Sequence, residues 1–239
     1  MRLLLVAALR LEFTGLLAHA ADPRPAKVAV DWARTARIGG YQTLLVANGA
    51  GARRAAAAVS AAWSVFQTDA VVSTGFCGAL DSELCIADVV VASSVATSVN
   101  SDSRSYPAMQ PTCMAPHRTA VICSIGHVAQ TAIEKASLRA ASPGAAAAAV
   151  EMEAAGVAEE AATRRLPFYC VRAVTDLAGE DLANDFNRAL RPDGHFDTIT
   201  ILKGTLRHPW VRWPELIRLR QRCARAASVL GDFIADCRF

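Results

Sequence analysis

The sequence predicts an α/β fold, and three observations carry that prediction. Short apolar runs rich in Val, Leu and Ile recur along the chain, each stops abruptly at polar or glycine residues, and several lead into stretches of helical period. No Pro/Gly/Ser-rich linker or long charge run divides the 239 residues, so they read as one domain, 1–239, with 53% hydrophobic residues to fill its core. The net charge of +3 is weak and the aromatic content is 6%, which leaves no basic-aromatic footprint for nucleic acid.

Leu3 to Ala8 reads as a first strand buried on both faces, with Glu12 just past its end and a helical pattern through Ala20. The same stretch has the outline of a signal peptide: Arg2, an apolar run from Leu3 to Leu9, then Ala18-His19-Ala20. That run is short for an h-region, and Arg10 and Glu12 interrupt it, so a buried strand is the reading adopted. No other run approaches the roughly 18 apolar residues that span a bilayer. Asp22-Pro23-Arg24-Pro25 marks a turn, and Val28 to Ile38 is an edge strand or a hairpin arm. Thr43 to Ala47 is a second buried strand, followed by Asn48-Gly49-Ala50-Gly51 and a helix from Ala52 to Phe66. Glycines at this place either let backbone N–H groups approach a ligand at the helix N-terminus or make a tight turn.

Ala70 to Ser73 forms a third strand, ending in Thr74-Gly75-Phe76-Cys77-Gly78, and Asp88 to Val95 a fourth. Thr97 to Pro116, holding Tyr106 and three prolines, reads as a long surface loop: a lid, an interface element or disordered. Thr119 to Ser124 is a fifth strand closed by Gly126 and His127, with a helix from Ala129 to Arg139. Ala145 to Val150, an alanine-rich helix and Phe168 to Val174 then make a strand-helix-strand unit. Glu151, Met152 and Glu153 stand at one strand end, Thr175 and Asp176 at the other. Ligands of open α/β sheets bind beyond the carboxyl ends of strands, so these acids are candidates for one shared site. The alternative is structural: Glu151 and Glu153 complement a helix N-terminus and Asp176 caps a turn.

An Asp-rich stretch and a turn at Arg191-Pro192-Asp193-Gly194 follow. A C-terminal amphipathic helix, about 213–237, presents Leu216, Leu219, Ala226, Leu230 and Phe233 on one side, and Arg218, Arg222 and Arg225 on a basic face. Such a face is a solvated surface or a peripheral membrane contact. The cysteines (Cys77, Cys85, Cys113, Cys123, Cys170, Cys223 and Cys237) are odd in number, lack a C-x-x-C pair and sit mostly in apolar runs, which suits reduced thiols in a cytoplasm. Zinc spacing is absent, and no metal or organic cofactor is indicated.

Four collinear stretches across residues 1 to about 178 resemble the nucleoside phosphorylase and nucleosidase superfamily, and among its members the methylthioadenosine/adenosylhomocysteine nucleosidases. They are the opening strand with Glu12, the Gly49/Gly51 turn, STGFCGALDSELCIADVVVASS, and VEMEAAGVAEEA with LPFYCVRAVTD. The resemblance implies a three-layer α/β sandwich around a mixed, barrel-like central sheet, and an enzyme that cleaves the N-glycosidic bond of a 5′-modified adenosine. It implies Asp176 as the general acid on the purine, with Thr175 as its hydroxyl partner, and Glu12 as the general base that activates water. It implies Glu153 on the ribose hydroxyls, Met152 packed on the ribose, Glu151 beside the site, and Gly49, Gly75 and Phe76 around the substrate. A homodimer is expected, with the loop around Tyr106 a contributor to the partner's pocket.

The phosphorylases of this superfamily place an Arg and a Ser where this chain has approximately Ser73 and Phe76, which favours water over phosphate as nucleophile. The aromatic expected to stack on the base is replaced by Gly126-His127-Val128-Ala129, leaving Phe76 as a candidate face. The C-terminal third, from Asn187 onward, is similar instead to hopanoid-associated members that release adenine from an adenosyl lipid. Alternatives are a phosphorylase, a futalosine-type hydrolase, and a nucleoside-binding protein without catalysis.

Overall fold

The computed structural model describes residues 1–97, 104–141 and 148–239. Ten strands form one mixed sheet among the described residues: β1 (Arg2–Ala7), β2 (Ala21–Pro25), β3 (Trp32–Ile38), β4 (Tyr41–Ala47), β5 (Ala70–Ala79), β6 (Val89–Thr97), β7 (Ser105–Pro107), β8 (Arg118–Ser124), β9 (Ala148–Glu151) and β10 (Phe168–Asp176). The sheet runs β10-β6-β8-β9-β5-β1-β4-β3-β2, and a further β10–β5 pairing closes its first five strands into a barrel. This is the mixed, barrel-like sheet expected from the resemblance.

Two helical layers cover it. On one side α2 (Ala52–Trp63) and α4 (Ala154–Thr163) bury Ala55, Val59, Val157 and Ala161 against Leu4, Leu44, Val71 and Val90. On the other, α1 (Thr14–Ala18) and α7 (Pro209–Asp236) bury Leu16, Leu230 and Phe233 against Leu3, Leu5, Leu45 and Val171. Alternate residues of the continuous apolar strands thus serve opposite layers, which is why those strands carry no polar face. Each fully buried Leu or Val contributes about 1.5–3 kcal/mol.

Strand β5 is where the barrel and the open sheet meet. Along one edge it pairs with β1 up to Ser73, then with β9 from Gly78. Between those points Thr74 and Phe76 turn their backbone groups toward an edge that carries no strand, and buried backbone groups must find partners elsewhere. The gap is filled by side chains of the candidate site.

Several expectations need correction. Asp22-Pro23-Arg24-Pro25 lies in strand β2, paired with β3 across an irregular register, so the prolines mark an exposed edge strand and not a turn. Thr74 to Gly78 continues β5 rather than ending it. Gly75 sits at φ +136, and a Cβ there would lie 2.3 Å from Glu12 Oε1 and 2.8 Å from Arg172 Nη1, so the glycine keeps the strand extended where two side chains press on it. The long loop contains β7, with Tyr106 paired to Val95; its residues 98–103 lie outside the described residues, as do Ala145, Ala146 and Ala147 of the apolar run before Glu151. Two further helices, α5 (Phe186–Ala189) and α6 (Thr198–Arg207), flank the turn at Arg191-Pro192-Asp193-Gly194 in stretches to which the sequence assigns no element, and α7 begins at Pro209 rather than about 213. α3 (Ala132–Ala140) completes the set.

Candidate active site

A cavity of about 320 Å³ opens at the carboxyl ends of β1, β5, β9 and β10. Glu12, Phe76, Glu151, Met152, Glu153, Thr175 and Asp176 all line it, so acids from three separate stretches of sequence reach one space. Gly49 and Gly75 are not among the lining residues. Gly49 turns the chain at φ +81 against Asp193 and Gly194, while Gly75 backs Glu12 and Arg172.

Glu12 sits in a single 3-10 turn (Arg10–Phe13) directly after β1. The turn folds its carboxylate back to accept the Leu9 N–H at 2.7 Å, and the other oxygen accepts the Phe76 N–H at 2.8 Å. Glu12 therefore fills part of the gap in the β5 edge. Burial pushes its carboxyl above the ordinary range, opposed by these backbone donors and by the Arg172 charge. A buried carboxylate held in this way is a stronger base than one in water.

Arg172, in the middle of β10, fills the rest. It is fully buried and donates to Thr74 O at 2.6 Å, to Ser73 Oγ at 2.7 Å and to Glu151 in a short ion pair. Burial opposes its charge, yet Glu151, Glu153 and Glu12 together hold the guanidinium protonated above its ordinary range. Sequence reasoning gave this arginine no role. The signal was available, because a lone cation inside the apolar strand FYCVRAV must have a buried counter-charge.

The two readings of the glutamate pair divide between them. Glu151 accepts the N–H groups of Glu153 and Ala154 at 2.9 and 2.8 Å, so it complements the start of α4 while pairing with Arg172. Glu153 makes no cap; its carboxyl crosses to the N–H of Gly51 at 3.0 Å, at the start of α2. Gly51, rather than Gly49, is thus the glycine whose backbone meets the site. Burial first, and Glu151 second, push Glu153 up to about 8.

Asp176 ends β10. Its Oδ1 lies 3.1 Å from the Thr175 hydroxyl, and its Oδ2 accepts from Lys135 Nζ at 2.6 Å. Burial raises its carboxyl above the usual range, with Lys135 and Thr175 pulling the other way. Lys135 was also missed, and the sequence hides it: α3 turns this lysine inward, 0% exposed, and leaves its neighbour Ile133 82% exposed. Helical period alone assigns the opposite orientation.

The opposite wall is apolar and comes from the chain after β10: Leu182, Phe186, Phe196, Ile201, Leu219 and Cys223. Phe186 and Phe196 meet edge to face at 6.0 Å. His127 stands at the cavity with its ring nitrogen 2.5 Å from Glu134, and Phe76 lines the same cavity. Among the described residues no cluster of His, Cys, Asp and Glu is arranged to hold a metal ion.

The arrangement can donate a proton at Asp176, accept one at Glu12 and bind hydroxyls at Glu153. Relatives share this chain's architecture. The 5′-methylthioadenosine/S-adenosylhomocysteine nucleosidase of Colwellia psychrerythraea is 29% identical over 184 residues, 64% of this chain and 74% of that one. The enzyme of the same name from Shewanella loihica is 25% identical over 84% of this chain and 97% of its own. Among solved structures, the Neisseria meningitidis nucleosidase of that name, in complex with methylthio-immucillin-A, superposes with a TM-score of 0.73 at 19% identity, covering 98% of this chain and 97% of the other. Futalosine hydrolase of Helicobacter pylori gives 0.72 at 14% identity, covering 98% and 95%. The sequence profile of the phosphorylase superfamily matches residues 2–193, and the chain belongs to that superfamily.

Proposed function

We propose that the protein is a nucleosidase that hydrolyses the N-glycosidic bond of a 5′-modified adenosine and releases adenine. The observation that carries this reading is the meeting of Glu12, Glu153 and Asp176 in one cavity. Asp176 gives its proton to the purine N7 as the C1′–N9 electron pair moves onto the base. Water adds to C1′ and passes a proton to Glu12, while Glu153 accepts from the ribose 2′- and 3′-hydroxyls, contacts that strengthen as the sugar flattens. Phe76 provides the face against the base and Met152 the floor under the ribose.

Water is favoured over phosphate by charge. No Arg or Lys is among the described residues lining the cavity, and the Nη groups of Arg172 donate to Thr74, Ser73 and Glu151. A phosphate dianion would lie beside four carboxyl groups, with no Arg or Lys on the described lining to meet it. Incubation with methylthioadenosine, adenosylhomocysteine, futalosine and adenosine, with and without phosphate, tests this by chromatography: free base without phosphate is expected. Release that requires phosphate would make the protein a phosphorylase, and tight binding without release a nucleoside-binding protein.

A lipid-linked adenosine is the second reading of the 5′ group, favoured by the helices behind the apolar wall. Ile199, Leu202 and Leu206 of α6 and Trp210, Val211, Trp213 and Ile217 of α7 are exposed, Trp210 at 91%. Lys203, Arg207, Arg212, Arg218 and Arg220 lie among them, and Glu215, the sole acid between Thr198 and Arg225, is buried on Ala183 and Asn184. This corner, rather than a face containing Arg222, which pairs with Glu180, suits peripheral contact with an anionic bilayer. No described helix is long and apolar enough to cross a membrane. The homodimer and the cytoplasmic location belong to the same reading.

A further inference from the structure

Lys135 is a fully buried amine whose three N–H bonds are all directed at fixed acceptors: Asp176 Oδ2 at 2.6 Å, Leu177 O at 2.8 Å and Glu180 O at 3.2 Å. Two of those acceptors are backbone carbonyls, so the ammonium is anchored independently of the carboxylate it faces. The other oxygen of Asp176 has a different neighbour. The Thr175 hydroxyl has one proton and two acceptors in reach, Asp176 Oδ1 at 3.1 Å and Cys77 O at 3.3 Å. It can donate to Oδ1 when Asp176 is ionised, and turn its proton to Cys77 O and accept when Oδ1 is protonated.

We propose that Lys135 is a positioning residue for the general acid: it occupies Oδ2, which leaves Oδ1 as the seat of the transferable proton, and it holds the carboxylate that remains after transfer. The proposal rests on the nucleosidase reading for the identity of the proton acceptor. In the step the Oδ1 proton goes to the purine nitrogen, the C1′–N9 pair goes to the base, and water supplies the oxygen at C1′ with its proton passing to Glu12. Lys135 keeps its own proton throughout.

The groups facing Asp176 make Lys135 the controlling charge. Glu180, from the segment after β10, opposes ionisation but is itself paired with Arg222 of α7. Cys77 of β5 and Cys223 of α7 face it as thiols raised by burial, which adds no competing charge. Burial lifts the Asp176 carboxyl and Lys135 restrains that lift, so losing the ammonium moves it higher.

The test uses Lys135→Met and Lys135→Arg in the full chain. The Asp176 carboxyl is followed by ¹³C NMR of aspartate-labelled protein, assigned with Asp176→Asn, and the pH profile of adenine release from methylthioadenosine is measured in parallel. Lys135→Met is expected to move both the carboxyl titration and the alkaline limb of kcat/KM upward by about one pH unit or more. It is expected to lower kcat by about tenfold or more with little change in KM, and Lys135→Arg to recover part of both effects. An Asp176 titration and an alkaline limb that stay in place overturn the proposal, whatever happens to stability. If Lys135→Met does not fold, the ¹⁵N resonance of the Lys135 ammonium in the parent decides: slow proton exchange and a shift that tracks Asp176 support the proposal, and fast exchange blind to that titration overturns it. A parent that releases no base from any nucleoside defeats the nucleosidase reading alone, because both NMR titrations still read the Lys135–Asp176 pair.

Discussion

The two halves of the cavity are built by different means. The polar half stands on strand ends, where Glu12 and Arg172 replace the hydrogen bonds that β5 lacks between β1 and β9. Its charges are therefore fixed by the same bonds that complete the sheet, and moving one leaves a buried group unpaired. The apolar half is a layer of side chains from α5, α6, α7 and the segments joining them, held by packing without such a network. The superfamily profile ends at residue 193, before α6 and α7 begin. On the reading proposed above, the polar half carries the reaction chemistry and the apolar half the choice of 5′ group; Leu182 and Phe186 of that wall lie within the profile, and Phe196, Ile201, Leu219 and Cys223 lie beyond it.

That division is broken most sharply at Asp176. Asp176→Asn keeps shape and removes the proton, so turnover should fall about 100- to 10,000-fold while calorimetry shows methylthioadenosine still bound. Loss of binding together with turnover would make Asp176 an anchor and not an acid. Next in size is Arg172→Met, which strands Glu151 in the barrel: urea unfolding should show a loss of about 3–5 kcal/mol. An unchanged midpoint would mean that the network does not hold the sheet together.

A pH effect of comparable size follows from Glu153. Its carboxyl binds a proton more tightly when folded, up to about 8 against 4.5, so its stabilising contribution is fully present below pH 4.5 and is lost as pH rises through about 8. Between those limits the parent should lose on the order of 5 kcal/mol relative to Glu153→Gln, read from denaturant midpoints across that pH range. A parent and variant with parallel pH curves would place the proton elsewhere. The smallest effect belongs to the apolar half. Phe196→Ala should lower kcat/KM for a nucleoside with a long apolar 5′ substituent by about tenfold, from 1–3 kcal/mol of lost contact, and leave adenosine nearly unaffected. Equal losses for both would show that the helical wall also shapes the reacting end.

Legibility in the sequence follows the same division. Each buried strand ends where apolar residues give way to polar ones, so Glu12, Glu153 and Asp176 could be placed at strand ends from the pattern alone, and the collinear motifs added their expected roles. What the pattern could not give was the extension of β5 through Gly75, because a glycine-rich stretch reads as a turn unless the side chains pressing on it are known. Lys135 was hidden for a related reason: its inward orientation depends on the acceptors at Asp176, Leu177 and Glu180, all remote in sequence. The pattern assigns no element to the stretch forming α6, because its apolar residues Ile199, Leu202 and Leu206 are exposed and mark no buried face.

The most direct test of hydrolysis at this site is a turnover in H₂¹⁸O without phosphate, with the sugar product examined by mass spectrometry before its anomeric oxygen exchanges. Incorporation of one ¹⁸O at C1′ in the parent, abolished in Glu12→Gln, is the expected result. A reaction that stalls until phosphate is added, and then yields a sugar 1-phosphate, would contradict it.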